Sequence, residues 1–266
     1  MKIAFIGTGN MGGAIVRGLI KSGAYSPQDI ICTAKSEATL EKLRQYDSAL
    51  HLSLDNKEAV QSADIIVLAV KPWLMADVID EIRLVIDLKR QVIVSVAAGI
   101  TLNELVHLLV PVNEHHEISP ILFRVVPNTA AEVLESITFI ASQGATEQQS
   151  NTIKHLFSSI GYAMVIDERL IPAATSLASC GIAFAMRYMR AAMEGGVELG
   201  FRPDEAARIV EHTVKGAATL LLHSGMHPEA AIDQVTTAGG ITIKGLNAME
   251  RAGFTNAVIE GLKASN

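Results

Sequence analysis

Short apolar runs alternate with segments of helical periodicity through the first part of the chain. Continuous apolar runs of about four to eight residues, bounded by turn residues, are typical of strands covered on both faces. The strand candidates are Ile3–Ile6, Ile30–Ala34, Ala49–Leu52, Ile65–Val70, Val92–Val96, Ile121–Val126, Ile137–Ala141 and Ala163–Ile166. Because helical segments separate these runs, the pattern predicts a parallel sheet with crossover helices.

The strand pattern ends near residues 166 to 170, and helical periodicity continues from there. The predicted helices are Ile171–Leu199, Pro203–Leu222, Pro228–Val235, Thr242–Ala252 and Thr255–Lys263. Proline at the first turn of a helix supports the starts at Pro203 and Pro228. The change of period predicts two domains, an α/β domain at residues 1–166 and an all-helical domain at residues 167–266.

Composition and charge narrow the class of protein. The chain has 266 residues, of which 49% are hydrophobic, so it can bury a sizeable core. A net charge of −6 without a dense Lys/Arg block argues against nucleic acid as a partner. Cys32 and Cys180 lie far apart, which favours a reduced, cytoplasmic protein over a disulfide scaffold. His115 and His116 lack the spacing of a helical metal site, so no metal is expected.

Two apolar segments bear on export and membrane insertion. The N-terminal run leads directly into Gly7, which is typical of a buried strand rather than a signal peptide. The stretch Leu170–Met186 contains hydroxyl residues and leads into Arg187, which favours a helix buried in protein, for example at a subunit interface, over a membrane span. No membrane partner is therefore expected.

A glycine-rich turn between the first strand and the first helix predicts a dinucleotide site. The segment Gly7-Thr-Gly-Asn-Met-Gly12 has the spacing of the Rossmann fingerprint. Gly7 permits the tight turn, Gly9 lets the backbone approach a pyrophosphate, and Gly12 lets the helix pack against the strand. We expect Asn10 and Met11 to contact the cofactor beside them. The alternative is a purely structural glycine turn.

The residues that follow the second strand bear on the choice of nicotinamide cofactor. An NAD site commonly places a carboxylate there to bind the ribose hydroxyls. Lys35 and Ser36 instead supply a cation and a hydroxyl for a 2′-phosphate. This favours NADPH, with NADH as the second cofactor, whereas the alternative is a solvated lysine and a helix-capping serine.

The ends of two further strands would lie at the same edge of the sheet, where ligands bind in folds of this kind. Their small residues would let the nicotinamide lie against the backbone. The two segments are Leu68-Ala-Val-Lys-Pro72 and Val94-Ser-Val-Ala-Ala-Gly99, and Ala69 and Pro72 of the first are expected beside the cofactor.

The predicted helical domain offers few groups for acid or base catalysis. The stretch Leu170–Met186 contains no Lys, His, Asp or Glu, and His212 and Lys215 are more typical of solvated or capping residues. This scarcity favours a reaction with little proton transfer in the hydride step. Reduction of a protonated imine is such a reaction, because the iminium carbon accepts hydride directly.

Motifs along nearly the whole chain resemble the pyrroline-5-carboxylate reductase family. They are Phe5-Ile-Gly-Thr-Gly-Asn-Met11, Asn56-Lys-Glu58, Leu68-Ala-Val-Lys-Pro72, Val96-Ala-Ala-Gly99, Val126-Pro-Asn-Thr129, Val235-Thr-Thr-Ala-Gly-Gly-Ile-Thr242 and Met249-Glu-Arg-Ala-Gly-Phe254. The resemblance implies an oxidoreductase of proline biosynthesis that reduces 1-pyrroline-5-carboxylate to L-proline with NAD(P)H. It implies a Rossmann-like N-terminal domain and a helical domain that builds a homodimer. It also implies that Asn56, Val70, Lys71 and Ala97 contact the cofactor and that Thr242 binds the substrate nitrogen.

This resemblance implies a substrate-binding role for the loop before Thr242. Gly239 and Gly240 would expose backbone N–H groups at a helix start to the substrate carboxylate. Thr237 would add a hydroxyl, Ile241 belongs to the same helix start, and Thr242 would orient the substrate ring. A plain turn between two helices is the alternative for the glycine pair.

The chain departs from the family pattern at two places near the expected substrate pocket. Ala238 replaces the proline that usually precedes the glycine pair, and Ser179-Cys-Gly-Ile182 replaces a Gly-Ser-Gly-Pro stretch. A reductase of a related cyclic imino acid therefore stays open. Two other classes also stay open, a 6-phosphogluconate-dehydrogenase-like hydroxy-acid dehydrogenase and a non-catalytic NADP(H)-sensing protein.

Overall fold

The computed structural model describes residues 1–110 and 119–266. They divide into two compact units, Met1–Ser179 and Cys180–Asn266. The boundary expected between residues 166 and 167 comes earlier in the chain than this division. The segment after that boundary stays with the first unit, because Ile171 and Ala174 are buried in one of its two hydrophobic clusters.

The first unit is built on a sheet whose strands match the predicted apolar runs closely. The strands are β1 Ile3–Ile6, β2 Ile30–Thr33, β3 His51–Ser53, β4 Ile65–Leu68, β5 Val92–Ser95, β6 Ile121–Val126, β7 Ser136–Gln143 and β8 Gly161–Val165. Their order across the sheet is β3-β2-β1-β4-β5-β6-β7-β8. The first six strands in this order are those of the Rossmann arrangement, with two more added beyond β6.

One strand pair departs from the predicted parallel pattern. Strands β6 and β7 are antiparallel, with Val126 opposite Phe139, whereas β7 and β8 are parallel again. The prediction is wrong at this pair because a short 3₁₀ turn, Thr129–Val133, connects the two strands. A parallel pair needs a crossover of about a dozen residues or more, and this connection is too short for one.

Helices cover both faces of the sheet. They are α1 Asn10–Ser22, α2 Glu37–Tyr46, α3 Asn56–Gln61, α4 Met75–Ile82, α5 Leu102–Leu109, α6 Glu147–Ser158 and the short α7 Ile171–Ala174. The sheet separates two hydrophobic clusters, one containing Phe5, Phe123 and Phe157 and the other containing Ile66 and Leu122. Strands covered on both sides explain why the apolar runs are continuous rather than alternating.

The second unit consists of helices. They are α8 Gly181–Glu198, α9 Pro203–Ser224, α10 Pro228–Gln234, α11 Ile241–Arg251 and α12 Phe254–Ala264. The predicted single helix Ile171–Leu199 is interrupted, because a π-helical segment, Thr175–Cys180, separates α7 from α8. The α/β Rossmann-like and all-helical classes predicted for the two parts of the chain are confirmed.

The apolar stretch at the start of the C-terminal helices is buried only in part. Among the described residues, one stretch, Glu168–Glu198, is long and apolar enough by length and composition to cross a membrane, and 17% of its most apolar window is buried. Length and composition alone are weak evidence for a span. Ile171, Ala174 and Ser176 are buried, but Leu177 and Met186 are exposed. In the single chain this stretch is therefore buried mainly at its start, and its burial in a subunit interface stays a prediction.

Candidate dinucleotide and substrate sites

The glycine turn after β1 is held by one residue of the neighbouring strand. The carbonyl oxygen of Thr33, the last residue of β2, accepts hydrogen bonds from the backbone N–H of Gly7 at 3.2 Å and of Thr8 at 2.8 Å. The Thr8 hydroxyl donates to the same oxygen at 2.9 Å. Gly7 has a φ of 93°, a conformation that glycine adopts without strain.

Gly9 and Gly12 differ in the space around them. A Cβ atom on Gly12 would lie 2.3 Å from the Gly7 carbonyl oxygen, so this position requires glycine for packing. A Cβ atom on Gly9 would have no described atom within 4 Å, so its surroundings are open. Gly9 precedes α1, and no side chain of the described residues caps that helix start. The N-terminus of α1 therefore presents backbone donors to an open space, which is an arrangement suited to a phosphate.

The residues predicted at the ends of β4 and β5 lie along the same edge of the sheet. The Ala69 N–H donates to the Ile6 carbonyl at 2.9 Å, which places the end of β4 beside the glycine turn. The Val70 side chain lies 2.7 Å from where a Cβ atom on Gly7 would be, so these two residues pack closely. Ala97 is buried and is the second residue after β5. The structure thus brings Gly7, Val70 and Ala97 to one edge, as the pattern predicts.

Lys71 and Pro72 turn the chain into α4. The Lys71 ammonium lies 6.0 Å from the centroid of the Trp73 ring, a cation–π distance, and both side chains are exposed. Pro72 occupies the first position of a 3₁₀ turn, Pro72–Leu74, where its missing N–H has no cost.

Lys35 and Ser36 are exposed immediately after β2. Ser36 stands at the N-cap of α2, but its hydroxyl contacts the Thr39 hydroxyl at 3.1 Å and caps no backbone N–H of the described chain. The next residue, Glu37, directs its carboxylate along α2 to Arg44 at 3.0 Å. The pKa of the Arg44 guanidinium is raised by hydrogen bonds to Glu37 and Glu41.

Two residues near this corner were missed by the sequence reasoning. The Thr33 hydroxyl donates to Asn56 Oδ1 at 2.6 Å, and Asn56 Nδ2 donates to Glu81 Oε2 at 2.9 Å. Asn56 is the residue that the family resemblance assigns to the cofactor, and it is the first residue of α3. A threonine at the end of a buried strand is a weak signal for such a contact. No local signal marks Glu81, which lies on α4, 25 residues further along the chain.

The candidate substrate loop in the second unit is a tight turn that leads into a helix start without a side-chain cap. Gly239 has a φ of 71°, and the Gly240 N–H donates to the Thr237 carbonyl at 2.9 Å, which closes a tight turn. Gly240 is the N-cap of α11, and no described side chain caps this helix. Ile241 is 87% exposed, and Thr242 is exposed in the first turn.

Thr237 is also close to this helix start. A Cβ atom on Gly240 would lie 2.6 Å from the Thr237 hydroxyl, so glycine leaves room for that side chain. The first turn of α11 contains no acidic residue that would repel an anion. The start of α11 therefore has backbone N–H groups without a side-chain cap and the Thr237 hydroxyl close to Gly240, with Thr242 exposed in the first turn.

The remaining sequence candidates are two residues of α9 and two histidines. In residues 1–110 and 119–266, no group of three or more His, Cys, Asp or Glu residues is arranged to hold a metal ion. His212 and Lys215 lie exposed on α9. His115 and His116 lie outside the described residues.

Two family models match the chain. One, described as pyrroline-5-carboxylate reductase dimerisation, matches residues 168–266, and one described as NADP oxidoreductase coenzyme F420-dependent matches residues 2–99. Pyrroline-5-carboxylate reductase of Methanosarcina acetivorans is 35% identical over 269 residues, which are 99% of this chain and 96% of that protein. The chain belongs to the pyrroline-5-carboxylate reductase family.

The chain is also similar to a second relative and to a solved structure. Pyrroline-5-carboxylate reductase 1 of Dictyostelium discoideum is 36% identical over 276 residues, and the chain spans 99% of its own length but 48% of that protein's. The crystal structure of Plasmodium falciparum pyrroline carboxylate reductase with NADP bound superposes with a TM-score of 0.87. Its identity is 23%, with 100% of this chain and 95% of that chain covered, so this likeness concerns the fold.

The departures from the pyrroline-5-carboxylate reductase pattern can now be placed in the structure. Ser179 and Cys180 are the last residues of the π-helical segment, and the Ser179 hydroxyl donates to the Pro127 carbonyl at 3.4 Å. Pro127 belongs to the Val-Pro-Asn-Thr motif that follows β6. Ala238 lies in the turn before Gly239 and is exposed. One departure thus contacts a family motif, and the other lies in the candidate substrate loop.

Proposed function

We propose that the protein reduces 1-pyrroline-5-carboxylate to L-proline by hydride transfer from NAD(P)H to the carbon of a protonated cyclic imine. The nicotinamide supplies the hydride when it is bound. The imine nitrogen already carries its proton, so hydride transfer to the carbon leaves a neutral secondary amine, and no acid has to protonate the nitrogen during that step. This chemistry agrees with the scarcity of acid and base residues at the candidate substrate loop.

The observation that carries the proposal is the uncapped start of α11. A substrate carboxylate at this point would accept hydrogen bonds from backbone N–H groups after Gly239 and Gly240, and the helix dipole would add to them. Together these interactions contribute about 1 to 3 kcal/mol to binding. Thr237 and Ile241 would complete the carboxylate site.

Thr242 has a separate role in the proposal. Its hydroxyl, one residue beyond the helix start, would form a hydrogen bond with the ring nitrogen. This bond would turn one face of the ring toward the nicotinamide. Its contribution is mainly orientation, because a correctly placed imine carbon reacts far faster than a freely turning one.

We assign the cofactor to the first unit, with NADPH favoured over NADH. The pyrophosphate would lie at the start of α1, against Gly9, Asn10 and Met11. Lys35 and Ser36 would bind the 2′-phosphate, and the nicotinamide would lie near Ala69, Val70 and Ala97. The NADP found in the Plasmodium falciparum structure supports a nicotinamide cofactor for this fold. In this division of labour residues 1–166 hold the cofactor, and residues 167–266 hold the substrate.

We further propose a homodimer built by the second unit. Ala206 is the single buried residue among those described in Cys180–Asn266, so this unit lacks a core of its own. An apolar groove of about 530 Å³ between α8, α11 and α12 is lined by residues that include Phe184, Tyr188 and Phe254. Burial of such side chains contributes about 1.5 to 3 kcal/mol each, and a second copy would supply the covering surface. The expected cytoplasmic location and the absence of nucleic-acid and membrane partners belong to this proposal.

The test is a spectrophotometric assay of NADPH oxidation with 1-pyrroline-5-carboxylate and, separately, with its six-membered homologue. Steady turnover that is faster with the five-membered ring supports the proposal. Faster turnover with the homologue would reassign the substrate to a related cyclic imino acid, which Ala238 keeps open. Cofactor binding without turnover of either imine would instead support the NADP(H)-sensing alternative.

Lys215→Ala separates imine reduction from a hydroxy-acid dehydrogenase. Imine reduction should largely survive the substitution, because no proton has to be removed from an alcohol. Oxidation of a hydroxy acid that disappears in Lys215→Ala would overturn the assignment.

A further inference from the structure

The second strand lacks the carboxylate that NAD sites commonly place at its end, but the fold brings one there from another element. Glu81 of α4 accepts a hydrogen bond from Asn56 Nδ2 at 2.9 Å, and Asn56 Oδ1 accepts one from the Thr33 hydroxyl at 2.6 Å. Thr33 is the final residue of β2. A carboxylate is thus connected to the end of β2 through a single amide.

The hydrogen bonds around Asn56 determine how its amide is turned. The Thr33 hydroxyl donates to the amide oxygen, so the amide nitrogen faces Glu81. The same Thr33 carries the carbonyl that holds the turn at Gly7 and Thr8. The Asn56–Glu81 pair is therefore tied to the corner of the sheet that contains the glycine turn.

The charge of Glu81 is not neutralised by an ion pair with any described residue, and Asn56 is its side-chain hydrogen-bond partner there. Two acids near this corner differ in this respect. Asp80, the preceding residue on α4, pairs with Arg83 at 3.3 Å. Glu37, just after β2, pairs with Arg44.

Asp55 and Glu58, at the start of α3, also have no ion pair with a described residue. Asp55 accepts backbone N–H groups of α3, and Glu58 accepts the Ser53 hydroxyl. Glu81 differs from both because its carboxylate is bonded to the Asn56 amide.

We propose that Glu81 is a specificity-determining residue for the adenosine end of the cofactor. This inference rests on the proposed dinucleotide site. A carboxylate at the end of β2 accepts hydrogen bonds from ribose hydroxyls and repels a 2′-phosphate. Glu81 acts against Lys35 and Ser36, which attract that phosphate, and the balance between the two sides sets the preference for NADPH over NADH.

The experiment measures binding of adenosine 2′,5′-bisphosphate and of 5′-AMP to the whole protein by isothermal titration calorimetry. Glu81→Gln keeps an acceptor for Asn56 but removes the charge. We expect the bisphosphate to bind about 5-fold more tightly to Glu81→Gln than to the wild type, the effect of one unit charge a few ångströms away in water. Binding of 5′-AMP should stay the same or weaken, and the gain should shrink as salt is added.

Asp80→Asn is the matched control, because it removes the same charge from the neighbouring position of α4. An equal gain in Asp80→Asn would overturn the inference by showing a general charge effect. An equal change for both nucleotides in Glu81→Gln would also overturn it. If the wild type bound neither nucleotide, the dinucleotide site would fail together with the inference. If the wild type bound both nucleotides and Glu81→Gln did not change their relative affinities, the dinucleotide site would be supported and only the role of Glu81 would be wrong.

Discussion

Arg124 and Glu168 form an ion pair at the point where the sheet meets the C-terminal segment. Arg124 Nη1 donates to Glu168 Oε1 at 3.0 Å, and the Arg124 side chain is 9% exposed. The same carboxylate oxygen accepts the Leu102 N–H at the start of α5, at 2.8 Å. One carboxylate therefore joins β6, α5 and the residues that lead into α7. Arg124 Nε is buried without a hydrogen-bond partner among the described residues, so the guanidinium depends strongly on Glu168.

Replacement of Glu168 by alanine should destabilise the protein. The variant leaves a buried guanidinium and the Leu102 N–H without their acceptor, and breaking a buried pair costs about 3 kcal/mol. Urea denaturation at a fixed protein concentration measures the change. The control is Arg169→Ala, which removes an exposed pair with Asp167 at 2.8 Å and should barely move the midpoint. Equal midpoints for the two variants would show that the Arg124 pair does not hold this junction.

Gly9→Ala and Gly12→Ala should fail in different ways. Gly12→Ala drives a methyl group into the Gly7 carbonyl, so both the stability and the cofactor affinity should fall. Gly9→Ala places its methyl group in open space, so the fold should be kept while the pyrophosphate is displaced. Thermal unfolding and NADPH titration, measured side by side, separate the two. If Gly9→Ala binds NADPH normally, the pyrophosphate does not lie at this turn.

Replacement of both Lys35 and Ser36 by alanine should narrow the preference for NADPH over NADH. The double variant removes a cation and a hydroxyl that would bind the 2′-phosphate, and each charge-assisted bond contributes about 1.5 to 3 kcal/mol. The ratio of kcat/KM for the two cofactors is the measurement. The control is Lys57→Ala, which removes an exposed lysine from α3. An unchanged ratio would mean that the Lys35 and Ser36 side chains point elsewhere.

Thr242→Ala should lower kcat with little effect on NADPH affinity, because the hydroxyl orients the substrate and does not contact the cofactor. The loss should be about 10-fold or more for one orienting hydrogen bond. Thr242→Ser keeps the hydroxyl and should retain most of the activity. Initial rates across a substrate series, together with NADPH binding, test this. If Thr242→Ala kept the wild-type turnover, Thr242 would not be part of the substrate site.

Cys32 should be inert in the folded protein at neutral pH. Burial raises the pKa of its thiol to about 12 from an ordinary value of 9.0. The folded protein therefore keeps this proton between about pH 9 and pH 12 while the unfolded chain loses it, so stability should fall as the pH rises through that range. The Cys32→Ala variant should show a flatter decline in urea midpoint. Iodoacetamide labelling mapped by mass spectrometry should mark Cys32 only after unfolding, and rapid labelling of the native protein would contradict its burial.

Local pattern was sufficient for much of the first unit. Strands β1 and β6 begin and end where the apolar runs predict, because strands covered on both faces leave a nearly continuous apolar signal. The glycine turn was predicted with the roles of Gly7 and Gly12 that the packing supports, since each role depends on the backbone within a few residues. Family membership was also predicted from the motifs and is confirmed. The roles of Thr242 and of the other site residues stay predictions.

The sequence by itself determined the succession of strands and helices, the glycine turn and the family, because periodicity, steric demands of glycine and motif spacing are properties of neighbouring residues. Only the tertiary structure decided the antiparallel pairing of β6 with β7, the ion pair of Arg124 with Glu168, and the approach of Glu81 to the end of β2. Each of these joins residues far apart in the chain, and long-range contacts depend on how whole elements pack. Glu81 lies on the exposed face of an amphipathic helix, and its neighbours in the sequence do not indicate which strand end it will approach.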